Sequence, residues 1–384
     1  MNKKLSMGGL SLLLFLLLVA CAPAPTLAPH TPVLPTATSP PPPATPTLVP
    51  PAATQMLPTS TPSPVPAGTK PIVIDTDMAI DDWMAILYLL QRSDVAVQVI
   101  TVTGTGEAHC NPGTRNASGL LALAGNADIP VACGRETPLR GNHTFPESWR
   151  EAVDTLLGLS LPSNPYPPSN QTAVELLYSI IQSSPQKVVL VTLGPLTNVA
   201  EALQSKPSLV HNLEMIYVMG GAVDVPGNIQ ASGVDTNNLV AEWNFYVDPH
   251  AAAVVFESGV PITLVPLDAT NHAPLAMAFY RRLEADLTTP EADFVYQVLT
   301  QMQDFIRSGG YFFWDPLTAA VATDESLCTF RRQTLKVIEE EGSESGRTLR
   351  SEDGISIRVC VAADGPRFET VFLDALNGRF PQRL

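Results

Sequence analysis

An apolar run, Ile72-Val73-Ile74, runs into four aspartates, Asp75, Asp77, Asp81 and Asp82, and a helical pattern follows with no linker between. No other stretch constrains the fold as much. Three consecutive β-branched residues read as a strand buried on both faces, the habit of parallel sheets. Trp83, Ile86, Leu87, Leu89 and Leu90 recur at helical spacing directly behind the acids, and Asp81 or Asp82 is placed to cap that helix. The acids therefore sit where a strand ends, and open α/β sheets bind ligands outside the carboxyl ends of their strands. One carboxylate there is explained as a cap. Four within eight residues repel one another, a cost tolerated most readily around a hard cation. The spacing points to a Ca²⁺ or Mg²⁺ site, with a solvated acidic turn as the plainer alternative.

The same alternation continues downstream. Residues 95–102, 187–193, 213–219 and 261–266 read as strands, and 116–124, 171–182, 250–257 and 316–322 as helices. The expected fold is α/β, a doubly wound, mostly parallel sheet; segments near 334–338 and 355–361 look like its antiparallel edge. If the strands are parallel, their carboxyl ends share one rim, and polar residues collect there. Gly104, Gly106, Glu107 and His109 follow one strand, and Leu193-Gly194-Pro195-Leu196-Thr197-Asn198 another. A long loop carries Asn228, Asp235, Glu242 and Asn244, and an aromatic run, Tyr311-Phe312-Phe313-Trp314, leads into Asp315. Singly, Asp315 is a helix cap and Asn228 a turn residue. Together with the acids they describe a polar small-molecule pocket.

The first 69 residues are of another kind. Lys3 and Lys4 precede an apolar run too short to span a bilayer, ending Leu18-Val19-Ala20-Cys21. This resembles the signal and lipobox of bacterial lipoproteins, which implies cleavage after residue 20 and a lipid on Cys21. From Ala22 to Thr69 there is no charged residue, and 16 of the 37 prolines fall here. Such a segment cannot bury a core and favours extended polyproline II, which suits a tether, residues 21–69, between the membrane and a globular domain, 70–384. The expected location is the bacterial cell envelope, outside the cytoplasm. A net charge of −15 without a basic patch argues against nucleic-acid polymers as partners. Cys110, Cys133, Cys328 and Cys360 lack the spacing of a zinc site and allow three disulfide pairings.

Five ordered motifs carry a resemblance. Asp-Thr-Asp-Met-Ala-Ile-Asp-Asp at 75–82 resembles the Asp-x-Asp-x-x-x-Asp-Asp opening of the nucleoside hydrolases. Leu-Gly-Pro-Leu-Thr-Asn (193–198), Met-Gly-Gly-Ala-Val (219–223), Ala-Glu-Trp-Asn-Phe-Tyr-Val-Asp-Pro (241–249) and Trp-Asp-Pro-Leu-Thr-Ala-Ala (314–320) are similar to that family's later motifs. The resemblance implies hydrolysis of the N-glycosidic bond of ribonucleosides with one Ca²⁺, in a homodimer or homotetramer. By position, Asp77, Asp82, Asp315 and the backbone carbonyl of Leu193 would ligate the cation, and Asp77 would be the general base. Asp81, Glu107, Asn228, Glu242 and Asn244 would hold the ribose, with Asp75 in support. An oxocarbenium-like transition state gains from such surrounding acids and amide oxygens.

Where many members carry a histidine before the last metal aspartate, this chain has Trp314, as in the purine-specific inosine–adenosine–guanosine subgroup. In that pattern Trp149 is the second tryptophan of a purine sandwich. Ala79 replaces an asparagine that contacts ribose in purine-specific members, and Glu107 replaces a shorter residue. The expectation is a purine nucleosidase; a broad or pyrimidine-preferring hydrolase and a non-catalytic nucleoside-binding lipoprotein are its competitors.

Overall fold

The computed structural model describes residues 65–379 except Asp235. Cys21 and nearly all of the proline-rich segment lie outside the described residues. Among the described residues nine strands form one sheet: β1 (Lys70–Thr76), β2 (Val95–Val102), β3 (Val131–Cys133), β4 (Val188–Thr192), β5 (Leu213–Met219), β6 (Ile262–Val265), β7 (Cys328–Val337), β8 (Thr348–Arg350) and β9 (Ile355–Ala363). Their order is β3-β2-β1-β4-β5-β6-β9-β7-β8. Strands β1 to β6 pair in parallel, β9 joins β6 in parallel, and β7 runs antiparallel to both β9 and β8.

The chain winds outward from β1 through β2 to β3, then returns to place β4 on the other side of β1. That reversal makes the carboxyl ends of β1 and β4 the switch point, and the opening aspartates and Leu193 stand on its two sides. One layer of helices, including Ile80–Leu90, Trp314–Thr323 and Gly365–Leu376, covers one face; Ala173–Ser183, Thr197–Ser205 and Pro249–Glu257 cover the other. Both faces of β1 are thus sealed, and Ile72, Val73 and Ile74 are wholly buried. This is the doubly wound sheet the sequence predicts.

The expected antiparallel edge is present: the segments near 334–338 and 355–361 fall in β7 and β9, and β7 runs antiparallel to β9 and to β8 at that end of the sheet. The edge is β8, three residues long and too short to leave an apolar pattern. Neither Asp81 nor Asp82 caps the helix Ile80–Leu90, whose N-cap is Ala79. Both sit in its first turn, where acids favour the helix dipole, but their oxygens accept from groups outside the helix. Of the three possible cysteine pairings, the structure has Cys110–Cys133 and Cys328–Cys360.

Candidate active site

The acids enter the site through a strained turn. Directly after Asp77, Met78 has φ of 60°, a left-handed conformation that costs a non-glycine residue roughly 1 kcal/mol or more. The turn is held by the Trp83 indole, which donates to the Met78 carbonyl at 2.9 Å, and by Thr76 Oγ1, which accepts from the Met78 amide. Two glycines leave room for Asp77. A Cβ on Gly106 would stand 2.0 Å from the Asp77 Cβ, and one on Gly194 2.7 Å from it. The Glu107 amide donates to Asp77 Oδ2 at 3.1 Å. Loops after β2 and β4 therefore aim a carboxylate that β1 supplies.

Behind it, Asp75 is fully buried and accepts from Thr101 Oγ1 at 2.6 Å and Asn198 Nδ2 at 2.9 Å. It ties β1 to β2 and to the helix Thr197–Ser205 rather than facing the cavity. Asp82 Oδ1 accepts from Thr76 Oγ1, and Asp81 Oδ2 accepts from the Asp315 amide at 3.2 Å. This last bond joins sequence positions 234 apart and docks the first turn of the helix Trp314–Thr323 onto the acidic turn.

Carboxylate oxygens of Asp81, Asp82 and Asp315 lie within 4.8 Å of one another, and Asp77 adjoins Asp82. Burial pushes every one of these acids up, Asp77 to about 6 and Asp81 to about 7; for Asp82 and Asp315 neighbouring carboxylates add to the rise. Asp82 Oδ2 and Asp315 Oδ1 are buried without a hydrogen-bond partner. Unpartnered carboxylate oxygens at this spacing, on an all-oxygen donor set, fit a hard divalent cation. The Leu193 carbonyl accepts from Asn244 Nδ2 at 3.2 Å, which orients it and leaves its second lone pair open.

Apart from Asp82, which is fully buried among its neighbours, every site residue expected in the globular part lines one cavity of about 740 Å³. Glu242 accepts from three amides, those of Asn244, Gly221 and Phe245, at 2.9 to 3.2 Å. It caps the short helix Trp243–Val247 and keeps open acceptor capacity toward the cavity. Burial pushes it up to about 7. Asn228 Oδ1 accepts from the Trp243 amide at 3.2 Å, which leaves its amide group as the free donor. Burial first, then Asp77 and Asp81, push Glu107 well above the usual range, with the Arg150 guanidinium opposing.

The other wall is aromatic. Trp149 stands on the helix Glu147–Asp154, which is pinned to the rim: Arg150 Nη2 donates to the Gly104 carbonyl at 3.1 Å, and His109 Nδ1 pairs with Asp154 at 2.7 Å. Its ring lies 5.5 Å from Trp243 and 6.4 Å from Phe145, while Trp314 lies 5.7 Å from Tyr311 and 5.8 Å from Phe312. Phe145, Trp243 and Tyr311 line the cavity as well. Nothing in the sequence sets them apart beyond position: Trp243 stands between Glu242 and Asn244, and Tyr311 opens the aromatic run before Asp315.

Residues 72–370 match the family model described as inosine-uridine preferring nucleoside hydrolase. The chain belongs to that family. The pyrimidine-specific ribonucleoside hydrolase RihA of Salmonella arizonae is 34% identical over 264 residues, covering 67% of this chain and 81% of that protein. The purine-preferring ribonucleoside hydrolase from Gardnerella vaginalis is 26% identical, with a TM-score of 0.69 over 80% of this chain and 98% of its own. The inosine-uridine preferring nucleoside hydrolase from Bacillus anthracis, at 23% identity, shares the fold with a TM-score of 0.70 over 81% of this chain and 100% of its own.

As a nucleoside hydrolase the chain cleaves N-glycosidic bonds of nucleosides, and its cavity divides accordingly. One side offers fixed carboxylates and amide oxygens to hydroxyl groups and positive charge. The other offers flat rings to a base.

Proposed function

We propose that the protein is a Ca²⁺-dependent hydrolase of purine ribonucleosides, anchored by lipid on Cys21 at the bacterial cell envelope and acting outside the cytoplasm. The observation that carries the purine assignment is Trp314 beside Asp315, lining the same cavity as Trp149. Two indoles bind the flat face of a purine better than that of a pyrimidine, by roughly 1–3 kcal/mol per stacked base. Asp77, Asp82, Asp315 and the Leu193 carbonyl are the proposed ligands of the ion. Ca²⁺ bound there would supply Lewis acidity and neutralise carboxylates that burial otherwise protonates.

Asp77, immobilised between Gly106 and Gly194, takes a proton from the attacking water as the C1′–O bond forms. The C1′–N bond breaks and its electron pair leaves with the base. Asp81, Glu107, Asn228, Glu242 and Asn244 hold the ribose hydroxyls, so that water and C1′ meet in a fixed geometry. Stacking on Trp149 and Trp314 raises the basicity of purine N7, which takes its proton from solvent.

The likeness to RihA, described as pyrimidine-specific, favours a second reading in which pyrimidine nucleosides are the better substrates. Reducing sugar released from inosine and uridine by the soluble domain separates the two. Faster cleavage of uridine would discard the purine assignment, and no release from either would favour a nucleoside-binding lipoprotein. Anchoring is tested by Cys21→Ala, which should move the protein from the membrane fraction to the soluble one. Sedimentation should give a homodimer or homotetramer.

A further inference from the structure

Asp77 is flanked by Gly106 of the loop after β2 and by Gly194 of the loop after β4. The second loop runs straight into the helix Thr197–Ser205. A side-chain hydrogen bond ties the two together: Thr105 Oγ1 and Thr197 Oγ1 lie 3.0 Å apart, across 92 positions of sequence. Thr105 stands between Gly104 and Gly106. Bare glycines let this loop approach Asp77 closely, but they also leave its backbone the freest to drift. A tie is needed where the close approach is made.

The direction of the bond follows from where it ends. Thr197 Oγ1 donates to Asp248 Oδ2 at 2.9 Å, because a carboxylate only accepts. With that proton committed, Thr197 accepts from Thr105, and Thr105 in turn accepts from Thr103 at 2.9 Å. Asp248 is itself fixed by the Leu139 and Ala251 amides, at 2.7 and 3.0 Å. All four residues are buried, Thr105 being the most exposed at 2%, and none lines the cavity. Away from water each bond of such a chain is stronger than on a surface, and its neighbours polarise it further.

Resting on the assignment of Asp77 as the base, we infer that Thr105 is a positioning residue for the hydrolysis: its bond to Thr197, anchored on Asp248, closes the two loops around the Asp77 carboxylate. Without the bond, Gly106 backs away from Asp77 and takes with it the Glu107 amide that donates to Asp77 Oδ2. The carboxylate then loses its fixed aim at the attacking water. No proton and no substrate atom passes through Thr105.

Thr105→Val, which removes the hydroxyl and keeps the shape, tests this in the full-length protein. On the better of inosine and uridine, kcat should fall about ten- to a hundredfold, as for a small misplacement of a reacting group, and KM should rise by less than kcat falls. Thr105→Ser, which keeps the hydroxyl, should restore the rate. Thr103→Val takes a hydroxyl from the same buried chain but leaves the crossing bond, so it should cost clearly less than Thr105→Val. If Thr105→Val does not fold, Thr105→Ala carries the same expectations. An unchanged kcat, a serine variant as slow as the valine one, or equal losses from the two valine variants would each overturn the inference. Asp77→Asn, run alongside, separates the two levels: a rate near wild type there sinks the base assignment and this inference with it. An inactive Asp77→Asn beside a fully active Thr105→Val sinks the inference alone.

Discussion

The carboxylate floor and the aromatic wall face the same cavity but are built in opposite ways. The floor is seeded by one short run, which supplies Asp77 and Asp81 and is joined by Glu107, Glu242 and Asp315, and the acids of the run are gripped by hydrogen bonds or by close backbone approach. The wall is assembled from Phe145 and Trp149, Trp243, and Tyr311 to Trp314, segments that meet only through tertiary packing. The difference teaches a division of labour. Transition-state charge demands fixed electrostatics, whereas a base demands only a flat apolar surface, which many sequences can supply.

The largest effect should come from breaking the floor. Asp77→Asn should lower kcat by at least about a thousandfold, with an unchanged melting temperature and intact stacking of a purine on the wall by fluorescence quenching. A rate near wild type would refute the assignment of the base.

Removing the cation should come next. With excess chelator, activity should vanish and return with Ca²⁺. The metal-free protein should also lose stability as the pH rises. Burial raises Asp75, Asp81 and Glu242 to about 7 and Asp77 to about 6 in the folded chain, while the unfolded chain titrates near 4. Their stabilising contribution is therefore complete below about pH 4 and lost as the pH passes through 6 to 7. The melting temperature in chelator should fall between pH 5 and 8, and Ca²⁺ should flatten that fall. A rising curve in chelator would mean that the acids are already compensated.

The wall should give smaller effects, chiefly on binding, with a lesser part in kcat from the lost basicity of N7. Trp149→Ala and Trp314→Ala should each weaken inosine by roughly 1–3 kcal/mol, about five- to over a hundredfold, mostly in KM. Losses in kcat with KM unchanged would mean that the rings do not bind the face of the base. The smallest change is expected at the seam. Ala79 lines the cavity, and Ala79→Asn should lower KM for ribonucleosides by a few-fold, one added hydrogen bond being worth roughly 1 kcal/mol.

Much of this was legible before any coordinates. Ile72-Val73-Ile74 announced a buried parallel strand, and the helix at its heels fixed where the acids lie relative to the sheet. The family motifs then supplied Asp315 and Trp314. What stayed hidden depended on distant partners. Asp81 and Asp82 looked like caps because local spacing cannot reveal that Asp81 binds an amide 234 residues downstream. Strands β3 and β8, at three residues each, carry too little pattern to be seen. Tyr311 looked like one aromatic among several, and only its burial without a partner sets it apart.

The sequence by itself determined the sheet type, the acidic turn at a strand end and the membership of its family. These rest on periodicity and short motifs, which are properties of neighbours in the chain. Tertiary structure alone decided which carboxylates share a space, which cysteines pair, and which polar atoms are buried without a partner. Those outcomes depend on distances between residues that the chain order does not encode, and burial then sets the charge and the hydrogen-bonding demand of each group.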